Sequence, residues 1–96
     1  MIDSKRKVLV LGLDGGSPLL VDRWSEELPT FRKFRDEDVF GLSVTPIPAQ
    51  TPVAWTTFMT GKNPGKHGIF SFVQRETGTY ERSIANLKAV KSSTLW

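Results

Sequence analysis

Val8-Leu9-Val10-Leu11-Gly12-Leu13 is an apolar run set between Lys5-Arg6-Lys7 and Asp14-Gly15-Gly16. A run with no polar interruption suits a strand covered on both faces, the situation of a parallel sheet with helices packed on either side. It is expected to be the central strand of an α/β domain. The same run after a basic opening has the outline of a signal peptide. It is only six residues long, however, and it meets Asp14 where a cleavage site would need small residues.

Downstream, Ser17-Pro18 supplies an N-cap and a first helical position, predicting a helix to about Glu27 with Leu20 and Trp24 on one face. Pro29 is expected to end that helix, because the residue before a proline is pushed out of the helical region. Thr30 then caps a second helix, where Phe31 and Phe34 share a face and Arg32, Lys33, Arg35 and Asp36 are solvated. Gly41-Leu42-Ser43-Val44-Thr45 has the alternation and β-branching of a second strand. Strand, helices and strand together predict parallel pairing with Val8–Leu13 through a right-handed crossover.

Pro46-Ile47-Pro48 closes that strand and leads to Thr51-Pro52-Val53-Ala54-Trp55-Thr56-Thr57-Phe58-Met59-Thr60-Gly61. This reads as one helix, with Thr51 as N-cap, Pro52 at the first helical position and Gly61 as its stop. A hydroxyl at that end sits among free backbone N–H groups and the positive pole of the helix, where a phosphate is stabilised. In open parallel sheets ligands gather beyond the carboxyl ends of the strands, which predicts that Asp14 and Thr51 share one rim. On spacing alone Asp14 is equally a turn residue before Gly15-Gly16, and for Thr51 the plain cap is the favoured reading. Trp55, Phe58 and Met59 are expected to form the buried face of this helix.

Lys62-Asn63-Pro64-Gly65-Lys66-His67-Gly68 reads as a loop, and its lone histidine as a hydrogen-bonder that fixes the loop ahead of a metal ligand. A P-loop is rejected. The spacing is one residue short, no Ser or Thr follows Lys66, and a helix precedes it where a strand is required. Ile69–Val73 and Tyr80–Ile84 around Glu76–Thr79 predict a β-hairpin. Ser92-Ser93-Thr94-Leu95-Trp96 resembles the cap and first turn of a further helix, so the chain is expected to be the N-terminal fragment, 1–96, of a larger catalytic domain.

Hydrophobic residues make up 39% of the 96, a marginal core for one small domain unless something completes it. There is no cysteine, which excludes disulfides and thiolate metal sites and is in keeping with a cytoplasmic location. The net charge of +3 is scattered among acids and forms no basic stripe with interleaved aromatics. Neither a nucleic acid nor a membrane is expected as a partner.

Three ordered stretches, Val8–Gly15, Thr51–Gly61 and Asn63-Pro64-Gly65-Lys66-His67-Gly68-Ile69, resemble the type I phosphodiesterase and nucleotide pyrophosphatase branch of the alkaline phosphatase superfamily. The resemblance spans nearly the whole chain. It implies an alkaline phosphatase-like, mostly parallel sheet with flanking helices. It implies Asp14 as a metal ligand, Thr51 as nucleophile and metal-bound hydroxyl, and two divalent ions, zinc in the first place or manganese. Further ligands would come from residues beyond 96. Some nucleotide pyrophosphatases carry a phosphate-binding asparagine after the His-Gly-Ile motif, where this sequence has Phe70-Ser71-Phe72.

The implied substrate is a small phosphate ester or nucleotide. A threonine hydroxyl needs such an ion, since coordination lowers its pKa, and two ions about 4 Å apart stabilise both attacking and leaving oxygens. The fragment alone is expected to be inactive and prone to self-association. The competing reading is a non-catalytic phosphate- or nucleotide-binding module.

Overall fold

The computed structural model describes residues 5–95, which divide into two units, Met1–Leu42 and Ser43–Trp96. The first unit holds helices α1 (Pro18–Arg23) and α2 (Pro29–Glu37). Ser17, in extended conformation, precedes Pro18 at the head of α1 as the sequence predicts. The helix ends four residues earlier than expected. Bonds from Ser25 N–H to Asp22 O (3.3 Å) and from Glu27 N–H to Trp24 O (3.0 Å) tighten the chain into turns after Arg23.

Pro29 opens α2 and does not merely end α1. Leu28 is the cap, its carbonyl accepting from Arg32 N–H at 3.0 Å, so the missing proline N–H falls where a helix has no use for one. Thr30 therefore lies inside the helix. Arg35 donates to Asp22 at 2.6 Å and Arg32 to Glu26 at 3.2 Å, linking α2 to α1 and its following turn. Hydrogen bonds donated to the Asp22 and Asp36 carboxylates hold the Arg35 guanidinium above its ordinary pKa. The basic face of α2 is thus paired, where simple solvation was expected.

Val8–Leu13 has no β-pairing, and its apolar side chains are 58–87% exposed. Gly41–Thr45 is likewise unpaired. A strand apolar on both faces needs sheet neighbours and covering helices, and none of the described residues 5–42 is buried. Among the described residues the sheet is a two-stranded antiparallel hairpin, β1 (Val73–Arg75) with β2 (Arg82–Ile84), pairing Val73 with Ile84, Gln74 with Ser83 and Arg75 with Arg82. The chain is a small α/β arrangement in which the expected parallel sheet is not formed.

The second unit carries the core. Helix α3 (Thr51–Thr60) is followed by the short α4 (Pro64–His67), the hairpin and a 3₁₀ turn over Leu87–Ala89. Val53, Thr56, Pro64, His67 and Ile69 are buried. The inner face of α3 is therefore Val53 and Thr56, three apart, while Phe58 stays 46% exposed and Trp55 and Met59 are half-buried. Trp55 and Phe58 instead meet edge to face with centroids 6.1 Å apart.

Ile69 enters the core, so the first strand starts at Val73 and not at Ile69. Residues 92–95 form no helix. Leu95 N–H binds the Met59 carbonyl at 2.8 Å, satisfying one of the last-turn acceptors of α3. Trp96 lies outside the described residues. No helix among the described residues is long and apolar enough to cross a membrane.

Candidate active site

Helix α3 begins one residue earlier than the sequence indicates. Gln50 is the cap, extended at φ −134°, ψ 150°, and its carbonyl accepts the first helical bond from Ala54 N–H at 2.9 Å. Thr51 is therefore the first helical residue and Pro52 the second. The hydroxyl of Thr51 makes no capping bond, and the residue is exposed. Gln50 N–H is taken by Pro48 O at 3.0 Å, and Pro52 has no N–H. The N–H groups of Thr51 and Val53 thus remain without helical acceptors, next to a free hydroxyl at the positive end of a ten-residue helix.

Asp14 sits in the turn Leu13-Asp14-Gly15-Gly16, closed by Gly16 N–H to Leu13 O at 3.3 Å. Gly15 supplies the left-handed φ of +68° this turn needs. The carboxylate is exposed and engaged by none of the hydrogen bonds or ion pairs of the described residues. Asp14 belongs to the first unit and Thr51 to the second. Both are hard oxygen donors without a competing partner, which is the donor chemistry a divalent cation of the zinc or manganese type accepts. Among the described residues no three His, Asp or Glu side chains gather around one point.

His67 is fully buried, with both ring nitrogens used inside the protein. Ile69 N–H donates to Nδ1 at 3.1 Å, so the neutral ring carries its proton on Nε2 and donates it to Thr57 Oγ1 at 2.9 Å. The His67 carbonyl accepts from Lys91 N–H at 2.9 Å. Burial lowers the imidazole pKa below its usual 6.5. This is the loop-fixing histidine the sequence favours, and it joins α3, α4 and the C-terminal segment.

Its partner Thr57 was not singled out by the sequence. The signal is the left-handed stop at Gly61 (φ +63°), which turns the chain back so that residues ten apart meet. The other helix hydroxyls are satisfied locally, Thr56 Oγ1 donating to Pro52 O at 2.6 Å and Thr60 Oγ1 to Thr56 O at 2.7 Å. Thr51 differs from Thr56, Thr57 and Thr60 in having its hydroxyl uncommitted.

A family model described as type I phosphodiesterase / nucleotide pyrophosphatase matches residues 8–96. Comparison with curated proteins and with solved structures finds no match to either.

Proposed function

Since the chain belongs to the type I phosphodiesterase / nucleotide pyrophosphatase family, we propose that it supplies the nucleophile and one metal ligand of a site that hydrolyses phosphodiester or pyrophosphate bonds in small, nucleotide-type substrates. The observation that carries this reading is the uncommitted Thr51 hydroxyl at the N-terminus of α3, inside the matched region. Asp14 and Thr51 would share one divalent ion, zinc or manganese, with a second nearby. Bound there, such ions supply Lewis acidity and lower the pKa of a hydroxyl.

Thr51 Oγ1 attacks phosphorus as its proton passes to water, and the bond from phosphorus to the leaving alcohol or phosphate breaks, the departing oxygen taking up a proton from water. The resulting threonyl phosphodiester, which keeps the retained half of the substrate on its phosphorus, is then hydrolysed by water, which releases a phosphate monoester and regenerates the hydroxyl. The N–H groups of Thr51 and Val53 and the helix dipole favour the negative charge on the phosphoryl oxygens. Asp14 orients the site as a carboxylate. In this reading the remaining ligands, and the neighbours that cover Val8–Leu13, come from a longer polypeptide with an alkaline phosphatase-like parallel sheet.

The test uses the complete polypeptide loaded with zinc or manganese and a chromogenic phosphodiester. Thr51→Ala should lower turnover by more than about a thousandfold, as deletion of a nucleophile does. Thr51→Ser should keep measurable activity and Asp14→Asn should weaken metal binding. Mass spectrometry of a quenched reaction should find, on Thr51, the phosphoryl group still esterified to the retained half of the substrate. A folded Thr51→Ala protein within tenfold of the parent, with no substrate-derived adduct trapped on Thr51 in the parent, would sink the proposal.

A further inference from the structure

The basic side chains of α2 and those of the second unit differ in their partners. In the first, Arg32, Lys33 and Arg35 each meet a carboxylate, at distances from 2.6 to 3.9 Å. In the second, Arg75, Arg82, Lys88 and Lys91 have none within ion-pair distance among the described residues. The hairpin register also sets Arg75 directly opposite Arg82. Like charges in that position oppose pairing, so the hairpin bears a cost that a counter-charge would relieve. Tyr80 relieves part of it, with the Arg75 guanidinium 5.7 Å from its ring centroid.

Three of these cations, Arg75, Lys88 and Lys91, line a pocket of about 480 Å³ with Gln74, Glu76 and Ser83. The backbone that carries its lysines is fixed before any ligand arrives. Lys91 N–H binds the His67 carbonyl at 2.9 Å, and its stem lies so close to Gly68 that a Cβ there would stand 3.2 Å from Lys91 Cδ. Lys88 N–H binds Asn86 Oδ1 at 2.9 Å. Gln74 donates to Gly68 O at 3.1 Å and ties β1 to the same wall.

We propose that this pocket binds a small phosphorylated anion of the diphosphate class. Two lysines and an arginine against the single acid Glu76 leave an excess of positive charge, matched by a ligand with at least two negative charges. The Ser83 hydroxyl adds a donor. No residue of α3 lines the pocket, so the ligand is held there without being presented to Thr51, and it clamps the hairpin onto the 87–91 segment. The inference is independent of the hydrolytic reading.

The probe is inorganic pyrophosphate, titrated calorimetrically into the full chain in metal-free, low-salt buffer. Saturable binding that weakens with added salt is expected, with a Lys88→Gln/Lys91→Gln variant about tenfold or more weaker. Thr51→Ala should bind as the parent does. Circular dichroism checks folding of the double variant. Exposed Lys88→Gln and its conservative counterpart Lys88→Arg give a second route, the first weakening binding and the second retaining it. Absence of saturable binding, undiminished affinity in the folded double variant, or loss of binding on Thr51→Ala would each overturn the proposal.

Discussion

At the scale of single residues the best-determined feature is His67, because burial and two hydrogen bonds specify one tautomer. Protonation would place a second N–H against the Ile69 N–H and leave a charge in an apolar surrounding. With its folded pKa depressed, the histidine binds protons more readily in the unfolded chain. Its share of stability is therefore whole above about pH 6.5 and is lost as pH falls from there through the folded pKa. The urea midpoint should begin to decline as pH falls below about 6.5, above the ordinary carboxylate pKa values. The decline should vanish in His67→Asn. An unchanged pH profile in that variant would show that other groups carry the effect. The histidine's role was legible in the sequence, since a lone imidazole between glycines suggests a fixed loop. Thr57 was not, because its meeting with His67 depends on the return of the chain after Gly61. The cap at Thr51 was displaced by one residue for a local reason, the Gln50 carbonyl taking the first helical bond.

At the scale of elements the Gly61 stop read from the sequence is where α3 ends, and it invites comparison with Gly68, which ends a short helix where a loop was expected. Gly61 ends α3 at φ +63° and Gly68 ends α4 at φ +82°, both in the left-handed region that costs other residues about 1–2 kcal/mol. A Cβ at Gly61 would meet nothing within 4 Å, whereas one at Gly68 presses on the Lys91 stem. Gly61→Ala should therefore cost about 1 kcal/mol, the backbone term alone. Gly68→Ala should cost more and also disturb the Lys91 side of the anion pocket. Chemical denaturation of both variants ranks them, and equal losses would mean that the Lys91 contact carries no energy. The hairpin was legible as an element through its Gly78 turn (φ +82°), but its first strand was placed too early. Period-two alternation cannot distinguish a strand residue from Ile69, whose backbone is spent on His67 and whose side chain fills the core.

At the scale of the whole molecule the decisive quantity is apolar surface. The sequence pattern of Val8–Leu13 identifies a strand intended for cover on both faces, yet Val8, Leu9 and Leu11 are 87%, 81% and 74% exposed, and Leu42 and Val44 are 80% and 94% exposed. A pattern can state that a segment needs neighbours, but the neighbours themselves are long-range partners that no local periodicity encodes. Burying a single such side chain is worth roughly 1.5–3 kcal/mol against about 1–2 kcal/mol to order each residue, so a contact that buries the whole run offsets the entropy of ordering it. An unpaired, uncharged run of this kind is also a template for pairing with another chain. The 96-residue chain by itself should therefore associate through Val8–Leu13, and a pair of charges there should prevent it. Sedimentation at increasing concentration should give a mass that grows for the parent and stays monomeric for Leu9→Lys/Leu11→Lys. Because those side chains make no buried contact, the helical signal of the double variant should match the parent's. If the parent sediments as a monomer across the range, the exposed run is not adhesive. If the lysine variant associates as strongly, the adhesive surface lies elsewhere on the molecule.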